Sequence, residues 1–408
     1  MINLKKYPKP HWKWPPNSKG KIKAINQYYF NQEKKNKNGY PKIVEIFEKN
    51  FAKYHKTKYA LTFNSGTSSL QAALYAVGVK KNDEVIVPSM THFATATPVF
   101  ALNAIPILAD CELDTGNISP KDIEKKITKK TKAIMVTHLC GHPCEMDSIC
   151  KIAKNHKIAL IEDCSHAHGS TYKRKKVGTF GDIGCFSLDN NKILAGGEGG
   201  ILITNKKVLF EKSLLTSDIA ARLLSEITYE DLSYFKETGL GYKHRIHPVS
   251  AAIANYELKN LKKYILKRKN TLNYFSKKLD RIEGIKPPVT RKNCDRGAFF
   301  GYRAFISDKV LKKIKINNLI QIFNKEGLEV RLAGNRPLHR LPLFSNKNYG
   351  PKFLSKDYKK YKNFSINQFK NSERFYSTTI SFPTFTFESK NLIDTYVKVI
   401  EMIIKRYY

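Results

Sequence analysis

The chain has 408 residues, is 41% hydrophobic and 12% aromatic, and carries a formal net charge of +37. That length and apolar content suit a globular protein of two domains with a sizeable core. No stretch approaches the ~20 apolar residues that span a bilayer, and the basic, proline-rich stretch from Met1 to Gly20 lacks the apolar centre of a secretory leader.

Residues 1–40 read as an extended arm followed by a helix. Pro41 to His55 predicts a second helix, with Ile43, Val44, Ile46, Phe47 and Phe51 at helical spacing and Pro41 in its first turn, where a missing N–H costs nothing. From Tyr59 the pattern alternates. Strands are predicted at Tyr59–Phe63, Glu84–Val87, Ile105–Ala109, Ala133–Val136, Ile158–Glu162, Ile183–Ser187 and Gly200–Thr204. Helices are predicted at Ser68–Val77, Ala94–Leu102, Pro120–Ile127, Met146–Asn155 and Lys207–Leu215. This succession predicts an α/β domain built on a mostly parallel sheet. A lysine-rich helix from Val249 to about Leu279 leads out of it, and a smaller α/β unit follows, with segments at Tyr302–Ile306, Ile316–Glu326, Leu328–Leu332 and Thr379–Phe382 and a last helix from Lys390 to about Lys405. The expected division is an arm and first helix at 1–40, a large domain at 41–259 and a small C-terminal domain at 260–408.

The 72 Lys and Arg residues recur along the whole length, and no recognisable RNA- or DNA-binding motif accompanies them. The favoured reading is lysine-rich solvated faces that attract anionic substrates, such as a nucleotide-linked metabolite, rather than a nucleic-acid footprint. Among the seven cysteines, Cys140-Gly141-His142-Pro143-Cys144 lacks the second ligand pair of a zinc site, so no metal is expected. An odd cysteine count without a leader points to reduced thiols in a cytoplasm.

Three motifs carry chemistry. Asn64-Ser65-Gly66-Thr67-Ser68-Ser69-Leu70 lies between a strand and a helix. There, unpaired backbone N–H groups suit a phosphate, Gly66 permits close approach, and the Thr67 and Ser68 hydroxyls add donors; the alternative is an ordinary helix cap. Asp163 closes an apolar strand at the edge where parallel sheets place ligands, and His166 follows three residues on. Lys192 follows a strand and precedes the tight turn Gly196-Gly197-Glu198-Gly199-Gly200. An acid to hold a pyridinium nitrogen and a lysine to bond the cofactor are the two groups that a pyridoxal phosphate enzyme requires. Such a lysine needs a lowered pKa, from desolvation or nearby positive charge.

Taken in order, these motifs, with Pro88-Ser89-Met90-Thr91-His92-Phe93-Ala94-Thr95-Ala96, Glu162-Asp163-Cys164-Ser165-His166-Ala167-His168-Gly169 and Gly181-Asp182-Ile183-Gly184-Cys185-Phe186-Ser187, resemble the DegT family of pyridoxal-phosphate sugar aminotransferases over roughly residues 40–400. The resemblance implies fold type I of the aspartate aminotransferase class: a large domain on a mostly parallel seven-stranded sheet and a smaller C-terminal α/β domain. It assigns Lys192, Asp163 and His166 to catalysis. It assigns Gly66, Thr67, Ser68, His92 and Ser187 to the cofactor, along with Lys243 of the partner subunit. Asp189, Arg331 and His339 fall at substrate-binding positions. His92 stands where the family usually has an aromatic ring, Lys243 where it more often has Asn, and Asp189-Asn190-Asn191 departs from the commoner wording before the lysine.

The implied reaction moves an amino group from glutamate or glutamine to a keto-sugar, nucleotide-linked, in amino-sugar, surface-polysaccharide or secondary-metabolite biosynthesis. The implied assembly is a cytoplasmic homodimer with shared active sites and no membrane association. The alternatives are a cyclitol or non-sugar ketone as acceptor, cofactor-dependent dehydration (opposed by Lys192), and a non-catalytic basic regulatory or nucleic-acid-binding protein on the same scaffold.

Overall fold

The computed structural model describes residues 9–10, 18–30, 35–36, 39–218, 221–332, 334–345, 348–351, 366–386 and 388–408. Most of the expected N-terminal arm lies outside them. Helices α1 (Ser18–Phe30) and α2 (Lys42–His55) lead into the alternating region: β1 (Tyr59–Phe63), α3 (Gly66–Ala76), β2 (Glu84–Pro88), α4 (Thr97–Ala101), β3 (Ile105–Ala109), α5 (Pro120–Lys126), β4 (Thr131–Thr137), α6 (Met146–His156), β5 (Ala159–Asp163), the short strands β6 (Thr171–Tyr172) and β7 (Lys175–Lys176), β8 (Ile183–Ser187), β9 (Gly200–Thr204) and α7 (Lys207–Ser217). There follow α8 (Ala221–Glu226), α9 (Glu230–Ser233), α10 (Pro248–Leu279), β10 (Ile285–Lys286), β11 (Cys294–Asp295), β12 (Tyr302–Ile306), α11 (Asp308–Lys313), α12 (Ile316–Lys325), β13 (Arg331–Leu332), α13 (Lys370–Thr378), β14 (Thr379–Phe382) and α14 (Lys390–Tyr407).

The main sheet has seven strands in the order β1-β9-β8-β5-β4-β2-β3. Strand β9 runs antiparallel to both neighbours, while β8, β5, β4, β2 and β3 pair in parallel. Its strands are near-continuous apolar runs because helices cover both faces and leave no polar side. One face packs α3 and α7, through Leu70, Ala73, Leu74 and Leu214. The other packs α2 and the first half of α10, through Phe47, Phe51, Ala254 and Leu258. The sheet is the one expected from the alternation, and the fold class is that of fold type I.

Local differences have local causes. The helix expected at Ala94–Leu102 is a 3₁₀ turn, Phe93–Thr95, followed by α4, with Pro98 in the first turn of the latter. Strand β5 runs one residue further than expected and ends on Asp163 itself. The small sheet, β10-β12-β14-β13, is antiparallel throughout. A third sheet, β11-β6-β7, had no signal in the sequence pattern, because two-residue strands show no periodicity. Along α10 the buried side chains pass from the large core (Ala251, Ala254, Leu258, Leu261) to the small one (Leu272, Phe275, Leu279).

One buried carboxylate pins the turn between β7 and β8. Glu162, fully buried, accepts hydrogen bonds at Oε1 from the N–H groups of Phe180 and Gly181 and at Oε2 from Gly178, each at 2.7 Å. His138 adds a fourth: its Nδ1 accepts from the Cys144 N–H at 3.0 Å, which leaves Nε2 to donate to Glu162 Oε2 at 3.1 Å. Cys164 completes a group of metal-ligand types within 4.8 Å. The carboxylate's four acceptor directions are nonetheless filled by these N–H groups, so the group serves the fold. Replacing Glu162 with Ala leaves three backbone donors unpaired, and each unmade buried bond costs about 1–3 kcal/mol. The expected loss for E162A in chemical denaturation is at least about 3 kcal/mol; a loss below about 1 kcal/mol would show that water takes over the carboxylate's role.

Candidate active site

The carboxyl ends of the parallel strands open into a cavity of about 560 Å³, roofed by the small domain. Nine of the residues singled out in the sequence line it: Gly66, Thr67, His92, Asp163, His166, Ser187, Asp189, Lys192 and Arg331. They come from separate chain segments, and the strand order is what gathers them. Ser187 ends β8, Asp163 ends the neighbouring β5, and Asp163 stands in register with Thr137 on β4.

At the base, Asp163 is buried and held from two sides. Its Oδ2 accepts from the Thr95 hydroxyl at 2.7 Å and its Oδ1 from the Ser165 N–H at 3.0 Å. Thr95 belongs to a cluster of hydroxyls with Thr91 and Thr137. The break that makes a 3₁₀ turn of residues 93–95 therefore sits where a side chain must reach the acid.

Lys192 is presented by the turn that follows β8, in which its N–H donates to the Asp189 carbonyl at 2.8 Å. Burial pushes its pKa below the usual lysine range, partly offset by the negative charges of Asp163 and Asp189. Its Nζ lies 4.7 Å from the centroid of the Phe300 ring, whose other close neighbour is the His166 imidazole, stacked at 4.0 Å and 14°. Burial, then the positive charge of Lys192, holds the His166 pKa well below normal, so the ring is neutral; its Nδ1 is buried with no hydrogen-bond partner. His92, at the cavity wall, is also held low by desolvation and by Lys192. Its Nδ1 accepts from the Ala94 N–H at 3.2 Å.

The start of α3 forms a cradle. Ser65 caps the helix, its hydroxyl accepting from the Ser68 N–H at 3.0 Å. A Cβ on Gly66 would come within 2.8 Å of the Ser187 Cβ, so only glycine lets this loop lie against the end of β8. Thr67 is exposed to the cavity.

Three expected residues stand elsewhere. Ser68 turns away from the cavity, its hydroxyl donating to Asn64 Oδ1 at 2.6 Å, so its side chain is spent on the helix start. His339 lies outside the cavity lining, with Nε2 2.6 Å from Glu373 and its ring stacked on Phe369 at 4.2 Å. Its turn is fastened to the large domain by the Leu338 N–H donating to the Ser89 carbonyl at 2.7 Å, which holds it off the substrate space. Lys243 is exposed, with a left-handed φ of 52°, and does not line the cavity of its own chain. Conversely, Thr95, Phe300 and Arg303 line the cavity without having been singled out. Thr95 had a signal, four residues after Thr91; Phe300 and Arg303 arrive through tertiary packing alone.

Comparison with known proteins places this arrangement. The model of the DegT/DnrJ/EryC1/StrS aminotransferase family matches residues 22–400. The chain is 37% identical to the GDP-perosamine synthase of Escherichia coli O157:H7 over 239 residues, which are 59% of this chain and 64% of that one. It is 32% identical to the L-glutamine:2-deoxy-scyllo-inosose aminotransferase of Streptomyces kanamyceticus, over 73% of this chain and 70% of that protein. Its fold superposes on the aminotransferase from Psychrobacter cryohalolentis with a TM-score of 0.84 at 26% identity, covering 98% of this chain and 100% of the other. The chain, with a buried acid and a low-pKa lysine converging at the carboxyl edge of its main sheet, belongs to the DegT/DnrJ/EryC1/StrS aminotransferase family.

Proposed function

We propose that this aminotransferase works with pyridoxal 5′-phosphate and moves an amino group from glutamate or glutamine to the ketone of a nucleotide-linked sugar, for amino-sugar, surface-polysaccharide or secondary-metabolite biosynthesis. The observation that carries the reading is the meeting of Lys192 and Asp163 in one cavity beside the Gly66 cradle. The residues fit the cofactor. The N-terminus of α3 with Gly66, Thr67 and Ser187 suits a phosphate. Asp163 is the acid for the ring nitrogen. His166, neutral and with Nδ1 unpartnered, awaits a hydrogen bond from a ligand.

When bound, the cofactor supplies an electron sink for the carbanion formed at the substrate carbon. The protein's own groups do the rest. Thr95 and the Ser165 N–H fix the Asp163 carboxylate, so no reorganisation is needed as charge moves. Lys192 Nζ, once free, takes and returns the proton of the carbon that bears nitrogen; its lowered pKa raises the fraction of free amine near neutrality. Asp189 and Arg331 face the same space and are the proposed substrate contacts.

Transfer to a cyclitol ketone is the second reading, favoured by the likeness to the inosose aminotransferase. The non-catalytic reading is not favoured: it gives no role to a lysine and a buried acid sharing a cavity.

We further propose a homodimer. The reading is supported by Tyr234 (88% exposed) and Tyr242 (53%), two exposed aromatic side chains close in sequence to Lys243, since exposed aromatic groups are enriched at interfaces. Lys243 of the partner subunit then reaches the phosphate. The unit boundary is placed within α10, where the buried side chains change cores. A cytoplasmic location is supported by the seven free cysteines. No described helix is long and apolar enough to cross a membrane.

Three outcomes test this. Purified protein with added cofactor shows a visible absorbance band that K192A lacks, and D163N keeps bound cofactor but loses roughly 10²-fold or more in transfer rate; transfer by K192A would sink the reading. Labelling of Lys192 by an amine-reactive reagent, followed by peptide mass spectrometry, begins at lower pH than for ordinary lysines. In D189N, where one charge favouring the ammonium is gone, it begins lower still; an unchanged onset would show that Asp189 does not act on the amine. Sedimentation gives a dimer, and K243A weakens cofactor binding about tenfold or more, as expected for loss of a charge-assisted phosphate contact; a monomer with unaltered cofactor affinity contradicts the shared site.

A further inference from the structure

We propose that His168 is a positioning residue of the cofactor-phosphate site: its imidazole takes the place of a missing strand neighbour and holds the end of β8, and with it Ser187, against the Gly66 cradle. The proposal rests on the pyridoxal-phosphate reading above and deepens it by naming what sets the phosphate wall from behind.

The need arises where β5 and β8 part. In their ladder the Cys164 N–H donates to the Cys185 carbonyl at 2.7 Å. Bonds between parallel strands are evenly spaced, two residues apart on each edge, so the next acceptor on this edge of β8 is the Ser187 carbonyl. The chain after β5 brings it no strand N–H, because it turns away: the Ala167 N–H donates to the Cys164 carbonyl at 2.8 Å and the Ser170 N–H to the Ala167 carbonyl at 3.0 Å. A carbonyl left unpaired at a buried strand end is costly. His168 meets it, with Nε2 at 2.9 Å from the Ser187 oxygen. A carbonyl only accepts, so Nε2 carries the proton and Nδ1 is bare; that Nδ1 is buried with no hydrogen-bond partner. The residue is 1% exposed and outside the cavity lining, its ring 6.5 Å from that of Phe51 and 5.2 Å from that of Phe186 between centroids. Burial pushes its pKa down to about 4, so the ring is neutral and keeps one tautomer near neutral pH.

What hangs on this bond is Ser187. It is the last residue of β8, it lines the cavity, and its Cβ stands 2.8 Å from where a Cβ on Gly66 would lie. Ser187 therefore walls the space at the start of α3, and a shift of the β8 end moves that wall. The turn that presents Lys192 has supports of its own. The Leu188 N–H donates to the Gly199 carbonyl, the Gly196 N–H to the Leu188 carbonyl and the Lys192 N–H to the Asp189 carbonyl, each at 2.8 Å. Loss of the His168 bond thus loosens the phosphate wall and leaves the lysine in place, a split that general destabilisation does not produce.

The test uses the full chain with three substitutions. H168F keeps a ring beside Phe51 and Phe186 but has no donor, H168Q carries an amide N–H to the reach of Nε2, and H168M, flexible and without a donor, replaces H168F where that variant does not fold. Absorbance titrations compare pyridoxal 5′-phosphate with pyridoxal, which lacks the phosphate, and read binding apart from turnover. In H168F, affinity for pyridoxal 5′-phosphate is expected to fall about tenfold or more and affinity for pyridoxal by less than about threefold, with most of the loss regained in H168Q. Equal losses for the two ligands, unchanged affinity for pyridoxal 5′-phosphate in the variants without a donor, or an H168Q no better than these would each overturn the role of His168. A native protein that binds pyridoxal 5′-phosphate no more tightly than pyridoxal overturns the phosphate site itself. If the native protein prefers the phosphate and the donorless variants keep that preference in full, only the role of His168 fails.

Discussion

Two adjacent acids at the end of β5 organise this molecule. Strand alternation sends Glu162 and Asp163 to opposite faces of the sheet. Glu162 is consumed by four hydrogen bonds that tie down the turn at residues 178–181. That turn feeds β8, and β8 delivers Ser187 and then Lys192 to the cavity. Asp163, on the other face, is gripped by Thr95 and the Ser165 N–H. The same dipeptide thus sets the scaffold with one carboxylate and offers the other to chemistry.

The cavity is a balance of charge built from distant segments. Asp163, Asp189 and Glu198 share its lining with Lys192, Arg303 and Arg331. The basic groups differ in exposure: Lys192 is partly buried on the turn after β8, Arg303 is buried on the face of the small sheet opposite Tyr302 and Ala304, and Arg331 is exposed. Burial holds the Lys192 amine and the His166 imidazole below their usual pKa ranges, so neither ring nor amine is stabilised in its charged form by the protein around it. The antiparallel small sheet matters here because its register aligns two arginines on one face, which a helical roof would not do at that spacing.

Much of the large domain was legible because its strands are continuous apolar runs and its chemistry-bearing residues sit at strand ends, where turn residues leave a mark. Gly66, Asp163 and Lys192 each follow or close a strand, and all three line one cavity. Ser68 and His339 show where local reading stops. Ser68 has the right chemistry for a phosphate, yet its hydroxyl is taken by Asn64 four residues earlier. His339 is drawn to Glu373 and Phe369, whose proximity depends on how α13 packs. Phe300 carried no signal, since the segment before β12 has neither periodicity nor turn chemistry that points to a cavity, and Arg303 sits within the expected strand β12, where nothing local says which face meets a cavity.

The sequence by itself determined the residue types, the strand-and-helix alternation and the turns that expose an acid, a lysine and a glycine, because these follow from spacing and backbone preference over a few residues. The tertiary structure decided which of those side chains share a space, which are spent on caps and packing, and that a buried arginine joins them. Those outcomes depend on strand order, on cross-strand register in the small sheet and on the placement of the C-terminal domain over the sheet edge. All of these are contacts between segments far apart in the chain, and no local pattern encodes them.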